Sequence, residues 1–184
     1  EVLLENLLRE ILPPGSYGIQ HAFQSREIVD AVIYVSDKIV PIDSKFPLEN
    51  FQKYVAAVDD AEKRTHYLQF SRDVKKHIDA IARKYILPDE RTFEFAMMYI
   101  PAENIYYHVI AGPENLEETE SLHSYAISKR VMPISPSSFY AYLQVILMGL
   151  RGLHIEEQAQ EVMAKLGQLN GDFTIGVWDA AECT

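Results

Sequence analysis

Val29-Asp30-Ala31-Val32-Ile33-Tyr34-Val35 and Ile39-Val40-Pro41-Ile42-Asp43, separated by Ser36-Asp37-Lys38, are the two runs from which the fold is read. Both are rich in β-branched residues, and the short polar break between them marks a hairpin. Ser-Asp is a weak hairpin turn pair, so a loop of two residues competes with one of three or four. With two loop residues, Ser36 and Asp37, Val35 faces Lys38 and Asp30 lies opposite Asp43. Side chains alternate along a strand, so both carboxylates then share one face, and Lys45 joins them if the strand runs on. Like charges directly opposite each other on a sheet repel unless a cation lies between them. Mg2+ suits such a pair, because it is hard, prefers oxygen and is commonly held by one or two carboxylates plus water and phosphate. A longer loop would shift the register and separate the acids. Asp43-Ser44-Lys45 taken alone is also an ordinary solvated strand end.

The remaining composition bounds what this hairpin can belong to. The chain has 184 residues, 48% of them hydrophobic and 24% charged, enough for one real core and too apolar for disorder. No apolar run approaches the roughly 18 residues of a membrane span; Phe139 to Leu150 is too short and contains Gln144. Cys183 is the only cysteine, which excludes a disulfide framework and a Cys-built zinc site and fits a reducing compartment. The net charge of −10, from 17 basic and 27 acidic residues, does not advertise a phosphate binder. Charge is unevenly spread, however. Between Glu62 and Lys84 stand seven basic residues, among them Lys75, Lys76, Arg83 and Lys84, against three acidic ones. The sequence starts at Glu1 with no Met and no signal-like segment, as expected of a piece of a longer protein.

Outward from the hairpin, Val2 to Leu12 carries a helical apolar stripe that Pro13-Pro14-Gly15 ends. Tyr17 to Gln24 alternates loosely and reads as a first strand. From Leu48 to Tyr85 the period is helical, and two helices breaking near Asp59 are expected. Thr92 to Ile100 reads as a buried strand, Ala102 to Ile110 and Leu116 to Ser128 as helices, and Arg130 to Ile134 as a short strand. Ser135-Pro136-Ser137-Ser138 caps a helix from about Phe139 to Arg151, and a last helix spans Ile155 to Leu169 before a loosely held tail from Gly171. This order is mixed α/β. It predicts one domain over 1–152, with a helix and tail over 153–184 packing on it or extending from it. Tyr99, Tyr106, Tyr107, Phe93 and Phe95 read as core, and Glu103 as an acid favouring a helix N-terminus.

Val29-Asp30 followed by Pro41-Ile42-Asp43-Ser44-Lys45-Phe46-Pro47-Leu48-Glu49-Asn50 resembles the DNA recombination protein RmuC family. Arg72-Asp73-Val74-Lys75-Lys76-His77-Ile78, Lys84-Tyr85-Ile86, Met98-Tyr99-Ile100-Pro101-Ala102-Glu103, Arg130-Val131 and Ser135-Pro136 follow in the family's order, so the resemblance covers residues 1 to 152. It implies a restriction-endonuclease-like core, a mixed sheet of about four strands flanked by helices. Those strands are Tyr17–Gln24, Val29–Val35, Ile39–Asp43 and Thr92–Ile100. It also implies a nuclease site of the PD-(D/E)xK superfamily, with Asp30 and Asp43 as metal-binding acids and Lys45 as the lysine that positions or activates water. Ser44 would lend its backbone carbonyl to the metal. Val29 departs from the family's proline before the first acid, a position that shapes backbone rather than chemistry. Related nucleases often carry another acid on the first helix, where Glu5 leads Glu1 and Glu10; Gln20, on the first strand, is a secondary candidate.

The implied reaction is Mg2+- or Mn2+-dependent hydrolysis of DNA phosphodiesters in recombination, with no small-molecule cofactor. The metal would activate water and Lys45 would offset charge on phosphorus. Lys75, Lys76, Arg83 and Lys84 are the expected contacts to DNA phosphates, with His77 a secondary member that the resemblance also brings toward the site, against the commoner reading of a helix-surface or hydrogen-bonded histidine. The bland reading of that segment is a solvated helix face, and the alternative function is a catalytically weak DNA-structure-binding or scaffold protein on the same fold. The resemblance further implies a cytoplasmic domain without membrane contact of its own, in a parent protein with an upstream anchor and a coiled coil through which it would oligomerise.

Overall fold

In the computed structural model, residues 2–112 and 121–152 are described, together with 160, 163 and 165. The chain divides into compact units over 1–144 and 145–184. In the second unit, residues 145–152 are helical; the helix expected over Ile155 to Leu169 and the tail from Gly171 fall outside the described residues, apart from three isolated positions.

The first unit opens with helix α1 (Val2–Ile11), which buries Leu4, Leu8 and Ile11 at helical spacing and stops at the two prolines. Strands β1 (Tyr17–Ala22), β2 (Ile28–Val35) and β3 (Lys38–Asp43) follow as an antiparallel meander. The β2–β3 turn has two residues: Val35 pairs with Lys38, and the register runs to Ala31↔Ile42. Ser36 takes the left-handed conformation, φ +55°, that lets so short a turn match the strand twist.

Helices α2 (Glu49–Ala56) and α3 (Asp60–Tyr85) then cross to β4 (Ala96–Tyr99), which runs parallel to β3. The break at Asp59 is a cap: its carboxylate accepts the backbone N–H groups of Ala61 and Glu62. Helices α4 (Glu103–Ala111) and α5 (Leu122–Ser128) lead to β5 (Val131–Ile134), parallel to β4. The Leu116–Ser121 part of the expected fifth helix includes undescribed residues. Residues 136–152 are helical after the Ser135–Ser138 turn, in which Ser135 N–H donates to Ser138 Oγ at 2.8 Å and Ser138 N–H to Ser135 Oγ at 3.2 Å.

The sheet therefore has five strands in the order β1-β2-β3-β4-β5, rather than about four. The extra member is β5, short and proline-containing, which joins because its neighbour β4 is buried along its whole length and needs a partner on each side. Thr92–Ile100 yields only four strand residues. Its first part makes only an isolated bridge to β3, where Phe93 N–H donates to Ile39 O, while Thr92 Oγ1 accepts Leu87 N–H at 2.7 Å. The principal core packs α3, through Tyr67, Phe70, Val74, Ile78, Ile81 and Tyr85, against Val29, Val32, Met98 and Ile100 of the sheet region. Fully burying one such side chain stabilises the fold by about 1.5–3 kcal/mol. Tyr99 is buried as expected, whereas Tyr107 is exposed because it lies on the outer side of α4. Among the described residues no helix is long and apolar enough to cross a membrane.

Candidate functional site

Asp30 and Asp43 are the first residues beyond the β2–β3 ladder, at the open end of the hairpin, and are only 3% and 4% exposed. Buried carboxylates need partners. The tripeptide after β3 supplies them: Asp30 Oδ2 accepts Ser44 N–H at 2.8 Å and Ser44 Oγ–H at 2.9 Å, while Lys45 Nζ reaches Oδ1 at 2.5 Å. Burial pushes the Asp30 carboxyl up, but the Lys45 and Ser44 bonds outweigh it and hold the group below the usual aspartate value. It is therefore an anion at neutral pH. The Ser44 side chain, to which the sequence assigned nothing, is one of its fixed donors.

Asp43 is met from the other side of the chain. Its Oδ2 accepts Lys45 N–H at 3.3 Å and lies 3.0 Å from His77 Nε2 of α3. Of the two sequence expectations for His77, a secondary phosphate contact or approach to the site, the structure favours the second: it sets His77 against the second acid, its side chain 18% exposed. Its ring stands edge-on to Phe46, with centroids 6.4 Å apart at 88°. Eight residues further along α3, the Tyr85 hydroxyl donates to Ile28 O at 3.1 Å, and burial followed by the negative charge of Asp43 pushes its pKa up, so it stays neutral.

A cavity of about 180 Å³ lies on the Asp30 side, lined by Leu4, Glu5, Ile19, Gln20 and Asp30. Glu5 and Gln20 thus come together with Asp30, although Glu5 is also ion-paired to Arg9 one helical turn on. Gln20 has φ +51°, and it is the one position skipped between Ile19↔Ala31 and His21↔Val29, where the register would set it opposite Asp30. A non-glycine residue held there is strained by about 1–3 kcal/mol, and such strain clusters at functional sites. No local signal in an alternating strand foretells it.

The expected phosphate contacts separate. Lys76 and Arg83 are exposed on α3, in one stripe with Arg72. Lys84 is paired with Glu27 at 2.9 Å, and Lys75 stands over the Tyr125 ring at 4.7 Å. Glu103 has a structural task, its Oε1 accepting Ser137 N–H at 2.9 Å at the start of helix 136–152.

Hard oxygen donors, an ammonium already accommodated against Asp30 and a carboxylate at each strand end suit a small divalent cation. Among the described residues, no three His, Cys, Asp or Glu side chains cluster as a metal site.

The fold and site define a mixed α/β domain with buried acids and a lysine at a hairpin end, an architecture that by itself does not fix a function. The sequence pattern of the RmuC family matches residues 1–180, and the chain belongs to that family. It is 30% identical over 196 residues to the "DNA recombination protein RmuC homolog" of Xylella fastidiosa strain Temecula1, covering 99% of this chain and 41% of that protein. The homolog from Zymomonas mobilis is 31% identical over 136 residues, covering 72% of this chain and 29% of the relative. "DNA recombination protein RmuC" of Escherichia coli K12 is 27% identical over 155 residues, covering 83% and 31%. The chain thus spans well under half the length of these relatives. No solved structure matches it. These three relatives are named as DNA recombination proteins.

Proposed function

We propose that this domain hydrolyses DNA phosphodiesters with a divalent cation, Mg2+ or Mn2+, and that Asp30 and Asp43 hold the metal. The observation that carries this reading is the pair of buried carboxylates at one hairpin end, with the Lys45 ammonium on the first of them. As pure structure the arrangement is expensive, because desolvating several charges often costs more than their mutual attraction returns. A bound cation would polarise a phosphoryl oxygen and lower the pKa of its water. Lys45, its side chain 56% exposed, swings between Asp30 and an incoming phosphate, orients the nucleophile and offsets charge on phosphorus. Ser44 holds Asp30 in place through its N–H and hydroxyl, and its backbone carbonyl would be the further donor to the metal. Glu5 and Gln20 line the cavity next to Asp30 and would meet the substrate on that side of it. An acid on β2, an Asp-x-Lys at the end of an antiparallel β3 and a helix crossing to a parallel β4 are the features that favour a restriction-endonuclease-like, PD-(D/E)xK assignment. With DNA as substrate, this reading expects the domain to act in the cytoplasm.

The second reading, a catalytically weak DNA-structure-binding or scaffold protein, is favoured by one observation: among the described residues no third metal-ligating side chain joins the two acids. Labelled duplex, single-stranded and branched DNA, incubated with Mg2+ or Mn2+, separates the two. Hydrolysis is expected with the chain itself and is expected to fall at least about 100-fold in Asp43→Ala and Lys45→Ala, as for loss of a metal ligand or an electrostatic catalyst. DNA binding without cutting in all three proteins would establish the scaffold reading instead.

A further inference from the structure

We propose that His77 is a positioning residue for Asp43 rather than a DNA contact: its Nε2–H holds Oδ2, leaving Oδ1 of Asp43 for a divalent cation. The inference rests on the metal-site reading above and assigns one more residue to it. His77 Nε2 is buried and makes no aligned hydrogen bond, although Asp43 Oδ2 is only 3.0 Å away. A buried nitrogen left in that state costs about 1–3 kcal/mol, and the softest adjustment open to the pair is rotation of the carboxylate about its terminal torsion. The imidazole itself cannot move to find another partner easily, because Phe46 braces its ring edge-on and α3 is anchored on both sides of it by buried Val74, Ile78 and Ile81.

The other donor to Asp43, Lys45 N–H, also falls on Oδ2, and no hydrogen bond among the described residues reaches Oδ1. Two elements far apart in sequence thus address one oxygen and leave the second. A cation that binds Oδ1 fixes the carboxylate torsion, and the same rotation satisfies His77. Outer partners of this kind set the orientation of a ligating carboxylate, and their loss weakens metal affinity about 10–100-fold. A phosphate contact is a different object: it adds to DNA affinity without any metal and contributes to the salt dependence of binding.

The test uses the 184-residue chain and its His77→Ala and His77→Gln variants, with Mn2+ affinity measured by calorimetry and duplex affinity by fluorescence anisotropy in EDTA. Mn2+ affinity is expected to fall at least about tenfold in His77→Ala. His77→Gln, whose amide can donate to the same oxygen, is expected to recover most of it. Metal-free DNA affinity is expected to stay at the wild-type value in both. Unchanged Mn2+ affinity in His77→Ala, or a loss of metal-free DNA affinity in its place, would overturn the inference. Should His77→Ala fail to fold, His77→Gln carries the decision: near-wild-type Mn2+ affinity supports the role, and affinity about tenfold or more below wild type overturns it. Failure of the wild-type chain to bind Mn2+ sinks the metal reading itself, and this inference with it; normal wild-type binding unchanged in His77→Ala removes the inference alone.

Discussion

At the scale of single residues, the donors on Asp30 among the described residues come from the two positions after Asp43. Ser44→Ala removes the hydroxyl but keeps the backbone N–H, so it is expected to cost about 1 kcal/mol in urea unfolding. Asp30→Asn removes the charge that Lys45 answers. The Asp30 pKa is lowered in the fold, so its contribution is fully present above the ordinary aspartate value and is lost as pH falls through the lowered folded value. The stability gap between the wild type and Asp30→Asn is therefore expected at pH 7 and should close on acidification below about pH 3.9. A gap that persists unchanged at pH 2 would show that shape, not charge, stabilises the site. Gly18 is fixed by a neighbour rather than by its own torsions: a Cβ there would come within 2.6 Å of the Tyr34 hydroxyl across the strand pair.

At the scale of elements, the hairpin and α3 carry the site between them. The hairpin needs Ser36 at φ +55°, which a β-branched side chain resists. Ser36→Val is expected to destabilise the domain by about 1–2 kcal/mol in thermal or urea unfolding. Helix α3 has two faces with separate tasks. Ile78 is fully buried, and Ile78→Ala is expected to cost about 2–5 kcal/mol through the cavity it leaves. The opposite face exposes Arg72, Lys76 and Arg83. If this stripe tracks DNA phosphates, replacing all three by Ala leaves the melting temperature near wild type and flattens the log–log salt dependence of duplex binding by about 3. An unchanged slope would move the phosphate track to another face.

At the scale of the whole molecule, the meander and the parallel half of the sheet meet at β3, whose end delivers Asp43. Glu103 links the start of α4 to the start of helix 136–152 through Ser137, and that hydrogen bond holds its carboxyl below the usual range. Glu103→Ala is expected to lower stability by about 1 kcal/mol at neutral pH, as for loss of a cap. The local signals in the sequence determined the mixed α/β order, the hairpin between the two β-branched runs and the helix break at Asp59; the weak Ser-Asp turn pair left the loop length open, and the observed register gives it two residues, which puts Asp30 and Asp43 at one end. Strand alternation, β-branching and a capping carboxylate are all effects of neighbours in the chain, and they can be read there. Tertiary structure alone decided that β5 completes the sheet, that Gln20 is kinked beside Asp30, that Lys84 is spent on Glu27 and which of the two acids His77 lies against. Those outcomes depend on which surfaces come together across tens of residues, where burial and unpaired polar groups, not local propensity, set the free energy.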